Sequence, residues 1–441
     1  METRSKSKLR SKALLSFAFW FFAGVFLVFF ALNRHSRADR FNYHSELWAD
    51  KAGYSIYLQA FEYAYDGRKI PDTAIVSKSG YGFQIDQESG VIVTKYTYGT
   101  ALAQAPFYIL GRFFESDAEV LPGFSVIQNR MVSVAGAVYL LLGLFFLYRF
   151  LRFYYDKKVV INTLLVLLFG TSLLYYGTME TGMSHIYSFA LFSGFLLFIR
   201  QRSYFARERF WEFFVFGCLA GWMIVLRQSN LLFPLVYFFL DAGSVTQVKE
   251  RIKRMFRIRN LFPAIAGVLL LIAPQIVYWN YAFDSMLAYS YGDEGFNWLN
   301  PKILKVFFDP YNGLFIYAPI LLFAAIYGAV MIRRKVPNAW LIFATFGIMT
   351  YIFSCWWAWW FGCAFGARSY VEYLSLLSMA MAYGWKEILS GSKKALVGAG
   401  IVALFCCVYT TKMAFSTDGC FPGSKEWDWP AYANEVMSKV R

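Results

Sequence analysis

Apolar runs of roughly 20 residues recur along the chain, and one long polar stretch interrupts them near the start. Eleven such runs can be drawn, over roughly 13–32, 126–148, 159–177, 184–200, 211–226, 229–241, 261–281, 313–332, 338–355, 370–389 and 395–411. A hydrocarbon core takes about 20 helical residues to cross, because each residue rises about 1.5 Å. The pattern therefore predicts an all-α polytopic integral membrane protein with about 11 transmembrane helices in a single membrane domain, 1–441. Arg4, Lys6, Lys8, Arg10 and Lys12 precede the first run, which reads as an uncleaved first span. Runs five and six are separated only by Arg227-Gln228-Ser229-Asn230, which predicts a tight hairpin or one broken helix.

The long polar stretch, 33–128, follows the first run and carries 11 of the chain's 28 carboxylates. Spans joined by short turns have no use for such an insertion, so it is where chemistry is expected. Tyr54, Leu58, Phe61 and Tyr65 recur at helical spacing, and their rings suit a membrane–water interface. Gly82-Phe83-Gln84-Ile85-Asp86 and Gly90-Val91-Ile92-Val93-Thr94-Lys95 alternate around Gln87-Glu88-Ser89, which predicts a β-hairpin delivering Lys95, Tyr96 and Tyr98. Residues 100–114 are apolar but broken by Gln104, Pro106 and Arg112, which predicts an interfacial helix rather than a span.

Composition agrees with this pattern, and charge gives it a direction. Apolar residues make up 58% of the chain and charged ones only 16%, where a soluble domain carries about 25%. The net charge of +15 is unevenly placed. With the N-terminus inside, the inner segments total +18 and the outer ones −3. Basic residues retained on the cytoplasmic side explain the excess, so no nucleic-acid partner is implied. The tail, 413–441, is then extracytoplasmic. Cys355, Cys363 and Cys420 fall at or beyond outer helix ends, where a disulfide can form, and no metal-ligand spacing is present.

Asp50 leads the candidates for chemistry. It precedes the aromatic helix just outside the first span, where a carboxylate facing the water–lipid boundary can serve as general base. Solvent and Lys51 are expected to keep it ionised. Arg368 sits at the outer end of the tenth span beside Gly366; it suits a lipid phosphate, or else snorkels and pairs with Glu372 four residues on. Lys95 is a second phosphate candidate. Tyr54, Tyr98, His185, Asp293 and Glu294 form a secondary set, and Arg227 reads as a helix-end anchor or a site residue. Trp356 to Trp360 suit an interfacial belt, and such rings also stack on sugars. Walker A, Gly-x-Gly-x-x-Gly, His-Glu-x-x-His and Gly-x-Ser-x-Gly patterns are absent, so nothing supports nucleotide-driven or common hydrolase chemistry.

Four motifs, taken together, resemble the GT-C glycosyltransferases. They are Trp48-Ala-Asp50-Lys-Ala-Gly-Tyr54 after the first span, Lys95-Tyr-Thr-Tyr-Gly99 before the Pro106 segment, Pro310-Tyr-Asn-Gly313, and Gly366-Ala-Arg368-Ser-Tyr370. The resemblance runs from Leu14 to about Leu389 and looks like a bacterial branch related to the protein-mannosyltransferase and aminoarabinose-transferase group. It implies a cytoplasmic-membrane enzyme using a polyprenyl-phosphate sugar at the outer face, with inverting transfer to a glycan, lipid or protein acceptor. It also implies Asp50 as base, and Arg368 and Lys95 as donor-phosphate contacts. Many members carry a second acid beside the catalytic one; here that residue is Lys51, so a metal-binding acid pair is not supported. A transporter or flippase of a lipid-linked saccharide, and an inactive scaffold of this family, are the other expectations.

Overall fold

The computed structural model describes residues 2–35, 41–65, 67, 69–70, 74–86, 88–116, 121–416 and 428–438, with side chains of the first helix over 17–33. Helices dominate, with a single two-stranded sheet among the described residues. Val126–Leu151, Ile258–Phe283 and Lys393–Ser416 are long and apolar enough to cross a membrane. Phe17–Asn33, Phe210–Leu226, Leu321–Arg333 and Ala339–Cys355 are shorter apolar helices. In Lys393–Ser416, Val397, Ile401, Val402, Leu404, Phe405 and Val408 are all exposed. So broad an apolar face has no counterpart on a soluble fold, where an unpaired helix turns a polar face to water. It is compatible with a helix that faces lipid.

Several expected spans are interrupted. The third is Lys157–Gly170 followed by Leu173–Thr178, with Thr171 extended between them. The eighth begins as the single turn Leu314–Tyr317 and resumes at Leu321–Arg333 across Pro319. The sixth is the 3-10 stretch Gln228–Leu235, which contains Pro234, and the short helix Val236–Phe239. Proline lacks the amide hydrogen a helix interior needs, which accounts for the breaks near Pro319 and Pro234 but not for the one at Thr171. Arg227 is extended after Leu226, and Asp241 lies beside Tyr154 and Arg200 at the far end of the bundle. Runs five and six therefore form a hairpin.

The polar stretch folds on a small core of its own: Ala52, Ile56, Tyr63, Ile75, Phe83, Leu121 and Phe124. Its main helix is Asp50–Tyr65. Of the helically spaced positions Tyr54, Leu58, Phe61 and Tyr65, only Tyr54 is buried in the protein. Phe61 and Tyr65 are 74% and 83% exposed, while the buried positions are residues 51–56, Gln59 and Tyr63. One side of the helix meets the small core and its first turn meets the membrane helices, so burial follows the two neighbours rather than the aromatic spacing.

The expected hairpin is present but short, pairing Gln84 with Val93 and Ile85 with Ile92. Asp86 closes its turn, accepting from the Ser89 amide at 2.8 Å, and Gly90 supplies the φ of +73° the turn needs. Beyond the second strand, Thr94 Oγ1 donates to the Gly53 carbonyl at 3.0 Å and Tyr57 donates to the Tyr96 carbonyl at 2.6 Å. These bonds lock Tyr96 over the helix. A Cβ on Gly53 would stand 2.3 Å from the Gly82 carbonyl oxygen and 2.4 Å from the Tyr96 ring. Gly53→Ala is expected to cost about 1–3 kcal/mol by overpacking and to displace Tyr96. Thermal unfolding of the purified variant checks this; an unchanged midpoint would mean the loop yields freely.

The helix Gly99–Arg112 buries Ala101, Ala103, Gln104 and Tyr108 while Ile109, Leu110 and Phe113 stay exposed. The tail contributes Trp429–Met437, where the Tyr432 hydroxyl bonds that of Tyr409, and the Glu435 carbonyl accepts from Lys412. Cys363 is disulfide-bonded, Cys218, Cys355, Cys406 and Cys407 are free, and Cys420 lies outside the described residues.

Candidate functional site

Helix ends converge on one face of the bundle and enclose a cavity of about 750 Å³. Phe210–Leu226 and Ala339–Cys355 arrive by their C-termini, and Ser184–Gln201 and the 3-10 turn Arg368–Tyr370 by their N-termini. The polar stretch covers them.

Asp50 opens the helix Asp50–Tyr65, where the positive end of the helix dipole favours a negative charge. Ala49 before it holds a φ of +48°, a left-handed conformation uncommon outside glycine, and so turns the chain into the helix. Tyr96 donates its hydroxyl to Asp50 Oδ1, and Arg368 Nη2 donates to Oδ2 at 3.1 Å. The Asp50 side chain is 36% exposed, toward the cavity, and that of Arg368 15%. Burial works to raise the Asp50 carboxyl, but the Arg368 guanidinium, the Tyr96 hydroxyl and Lys95 together hold it below the ordinary aspartate value. Burial and the adjacent Asp50 charge push the Tyr96 hydroxyl well up, so it stays a donor. The boundary setting expected for Asp50 is thus a walled cavity, and Arg368 does what solvent and Lys51 were expected to do.

Lys51 points away from Asp50, since consecutive helical residues face about 100° apart. Its side chain is 5% exposed and its Nζ lies 3.0 Å from Glu180 Oε2 and 3.7 Å from Glu46 Oε1. Burial lowers the Lys51 ammonium's affinity for its proton, but Glu180 and Glu46 outweigh that and raise it above the ordinary lysine value. Glu46, fully buried, also accepts the Gly182 amide at 2.5 Å.

Lys95 lies 2.8 Å from Glu294, with its ammonium 5.6 Å from the Tyr96 ring and 5.5 Å from that of Tyr291. The expected local pair of Arg368 with Glu372 does not form. Glu372 is 0% exposed and meets Arg227 at 3.4 Å and His185 Nδ1 at 3.1 Å. Arg227 Nη1 also stands 3.0 Å from His185 Nε2, and both residues line the cavity. The mouth is aromatic. Phe296 bridges to Trp356, and the Trp357 amide donates to Gly295 at 2.9 Å, which ties residues 283–312 to the tryptophan run.

The structure therefore brings Asp50, Arg368, Lys95, Tyr54, His185 and Glu294 to one cavity. Tyr98 is not among its walls; its hydroxyl donates to the Leu271 carbonyl at 2.6 Å, and its amide to Gln275. Asp293 does not line the cavity either. Tyr96, Glu180 and Glu372 are not singled out as site residues by the sequence alone, and Arg227, open there between a helix-end anchor and a site residue, lines the cavity. Arg227 did carry a signal, as a lone cation between two apolar runs. Tyr96 carried only its place beside Lys95. Among the described residues, no three His, Cys, Asp or Glu side chains are grouped to hold a metal ion.

The arrangement suits an anionic group near Arg368, Lys95 and Arg227, an apolar portion at the aromatic mouth, and proton transfer at Asp50. No protein-family model matches the chain, and no curated protein or solved structure is significantly similar to it.

Proposed function

We propose that this chain is a GT-C-like membrane glycosyltransferase that moves a sugar from a polyprenyl-phosphate donor to an envelope glycan, lipid or protein acceptor. The observation that carries the reading is the meeting of the Asp50 carboxylate with Arg368 and Lys95 in one aromatic-mouthed cavity. The acceptor hydroxyl attacks the sugar's anomeric carbon while Asp50 takes its proton. The bond from that carbon to the phosphate oxygen breaks, and the charge gathered on the leaving polyprenyl phosphate is met by Arg368 and Lys95. Opposite-face attack inverts the anomeric centre. A transporter or flippase of a lipid-linked saccharide would bind the same donor without releasing polyprenyl phosphate, and turnover separates the two.

The test is turnover by the purified full chain in proteoliposomes with a panel of polyprenyl-phosphate sugars, scored by release of polyprenyl phosphate with acceptor present. Failure of every donor in the panel both to bind and to release polyprenyl phosphate would refute the proposal.

The same reading gives eleven crossings in a bacterial cytoplasmic membrane, with the N-terminus cytoplasmic and the cavity outside. Asn434 is exposed on the tail helix. An Asn434→Cys variant is expected to react with an impermeant thiol reagent in intact spheroplasts, above the parent's background. Labelling only after lysis would overturn this orientation.

A further inference from the structure

The two groups that the proposed reaction needs separately are bound to each other. Both oxygens of the Asp50 carboxylate already accept a bond, one from Tyr96 and one from Arg368 at 3.1 Å. Each of these bonds takes one of the lone-pair sites on its oxygen and stabilises the charged form, which makes the carboxylate a poorer acceptor for the proton of an attacking hydroxyl. Arg368, for its part, cannot grip a phosphate with its planar fork without presenting N–H groups to it. Placing a phosphate there sets a second negative charge beside Asp50, within a cavity where screening is weaker than in water.

We infer that the donor phosphate and the Asp50 carboxylate compete for Arg368, so that binding of a lipid-linked phosphate breaks the Asp50–Arg368 pair and frees Asp50 for the acceptor. The inference rests on the function proposed above and adds an order to it: donor before acceptor.

Three further observations support the exchange. Asp50 has an alternative once Arg368 is withdrawn, because Tyr96 stays bonded to Oδ1 and is itself fixed by Tyr57 and Thr94. The carboxylate therefore keeps its position while Oδ2 opens. Lys95, the other proposed phosphate contact, is held in the same way by Glu294 at 2.8 Å, so a second carboxylate stands ready to be displaced. Arg227 also lines the cavity, but its partner Glu372 is fully buried. It can meet the anion first without giving up a cavity-facing carboxylate.

The exchange also works in the right chemical direction. The charged and titratable groups acting on Asp50 are Arg368, Lys95 and Tyr96, with Lys51 and Tyr54 also feeling its charge. Arg368 is the largest influence opposing burial. When a phosphate occupies that guanidinium, burial acts with less opposition and the carboxyl becomes more basic. The ligand-free site thus holds a weak, occupied base, and the donor converts it into a stronger, open one.

The experiment measures the affinity of the detergent-purified full chain for a short-chain polyprenyl monophosphate carrying no sugar. Asp50→Asn keeps the side chain's shape but removes the competing charge. It is expected to bind the lipid phosphate about tenfold more tightly than the parent, the scale of one charge-assisted contact. Arg368→Ala is expected to bind more weakly, and Asp50→Asn added to Arg368→Ala to give no gain. Asp50→Ala should tighten binding in the same way, which guards against a folding defect peculiar to the Asn variant.

Unchanged or weaker binding by both Asp50 variants would overturn the competition. A gain that persists without Arg368 would also overturn it, since it would reflect general charge and not a shared partner. If the parent binds no lipid phosphate, the competition and the proposed donor fall together. If the affinities behave as expected but no sugar is ever transferred, the exchange stands and the glycosyltransferase reading fails.

Discussion

Asp50→Asn is expected to slow sugar transfer by about 100- to 10,000-fold, the usual cost of losing a general base. The variant should remain folded, because the amide oxygen can still accept from Tyr96, and Arg368, which loses its acceptor, faces the cavity. The combination of effects is what makes the test specific. If the charge competes with donor, removing it lowers the apparent KM while it lowers kcat, a pattern that loss of structure does not produce. Asp50→Glu should recover little, since an added methylene shifts the acceptor oxygen by roughly an ångström, and misplacement of that size can cost about a hundredfold. Steady-state kinetics in proteoliposomes, with binding measured alongside, decide it. Parent-like turnover by Asp50→Asn would remove Asp50 from the chemistry and make Glu180 and Glu294, the other carboxylates lining the cavity, the next to test.

Lys51→Met should destabilise the protein by about 3–5 kcal/mol, the cost of leaving a buried charge without its partner. Methionine nearly matches the lysine stem in volume, so a cavity is not the cause. Without the ammonium, Glu46 loses the charge that faces it at 3.7 Å while it stays at zero exposure. Adding Glu46→Gln should restore part of the loss, because the stranded charge is then gone, and the double-mutant cycle measures the coupling. The readout is the thermal unfolding midpoint in detergent, several degrees lower for Lys51→Met and partly recovered in the double variant. Independent, additive losses would mean that Lys51 acts through Glu180 or through packing and not through Glu46. Because Glu46 and Lys51 flank the turn into Asp50, the single variant should also lose activity through misplacement of the carboxylate.

Much of the architecture was legible because it follows from local rules. The apolar runs become helices since a backbone in an apolar setting satisfies its hydrogen bonds most simply within one segment. The hairpin was legible from alternation closed by Gly90, whereas the interruptions of the third, sixth and eighth runs were not drawn from the sequence. The charge asymmetry needs no structure to compute. Asp50, Arg368 and Lys95 could be singled out because each stands beside an apolar run where an ionic group calls for a reason.

Which of these groups meet was not legible. Asp50 and Arg368 are 318 positions apart, and His185 and Glu372 are 187 apart. The sequence offered Arg368 a local partner in Glu372, four residues on, which is a sound pairing only on an α-helix. The chain instead makes a 3-10 turn at Arg368–Tyr370 and begins its α-helix at Leu374, so the two side chains leave in different directions. Arg368 turns to the cavity and Asp50, and Glu372 turns inward to Arg227 and His185. The chain by itself determined that the protein is helical, apolar and charged at particular helix ends, because those properties depend on neighbours within a turn or two. The tertiary structure alone decided that Tyr96 and Arg368 close on Asp50 while Lys51, its immediate neighbour, serves Glu46 and Glu180. Ion pairs form between whatever ends the packing of helices brings within about 4 Å, and that packing is set by side chains along the whole bundle.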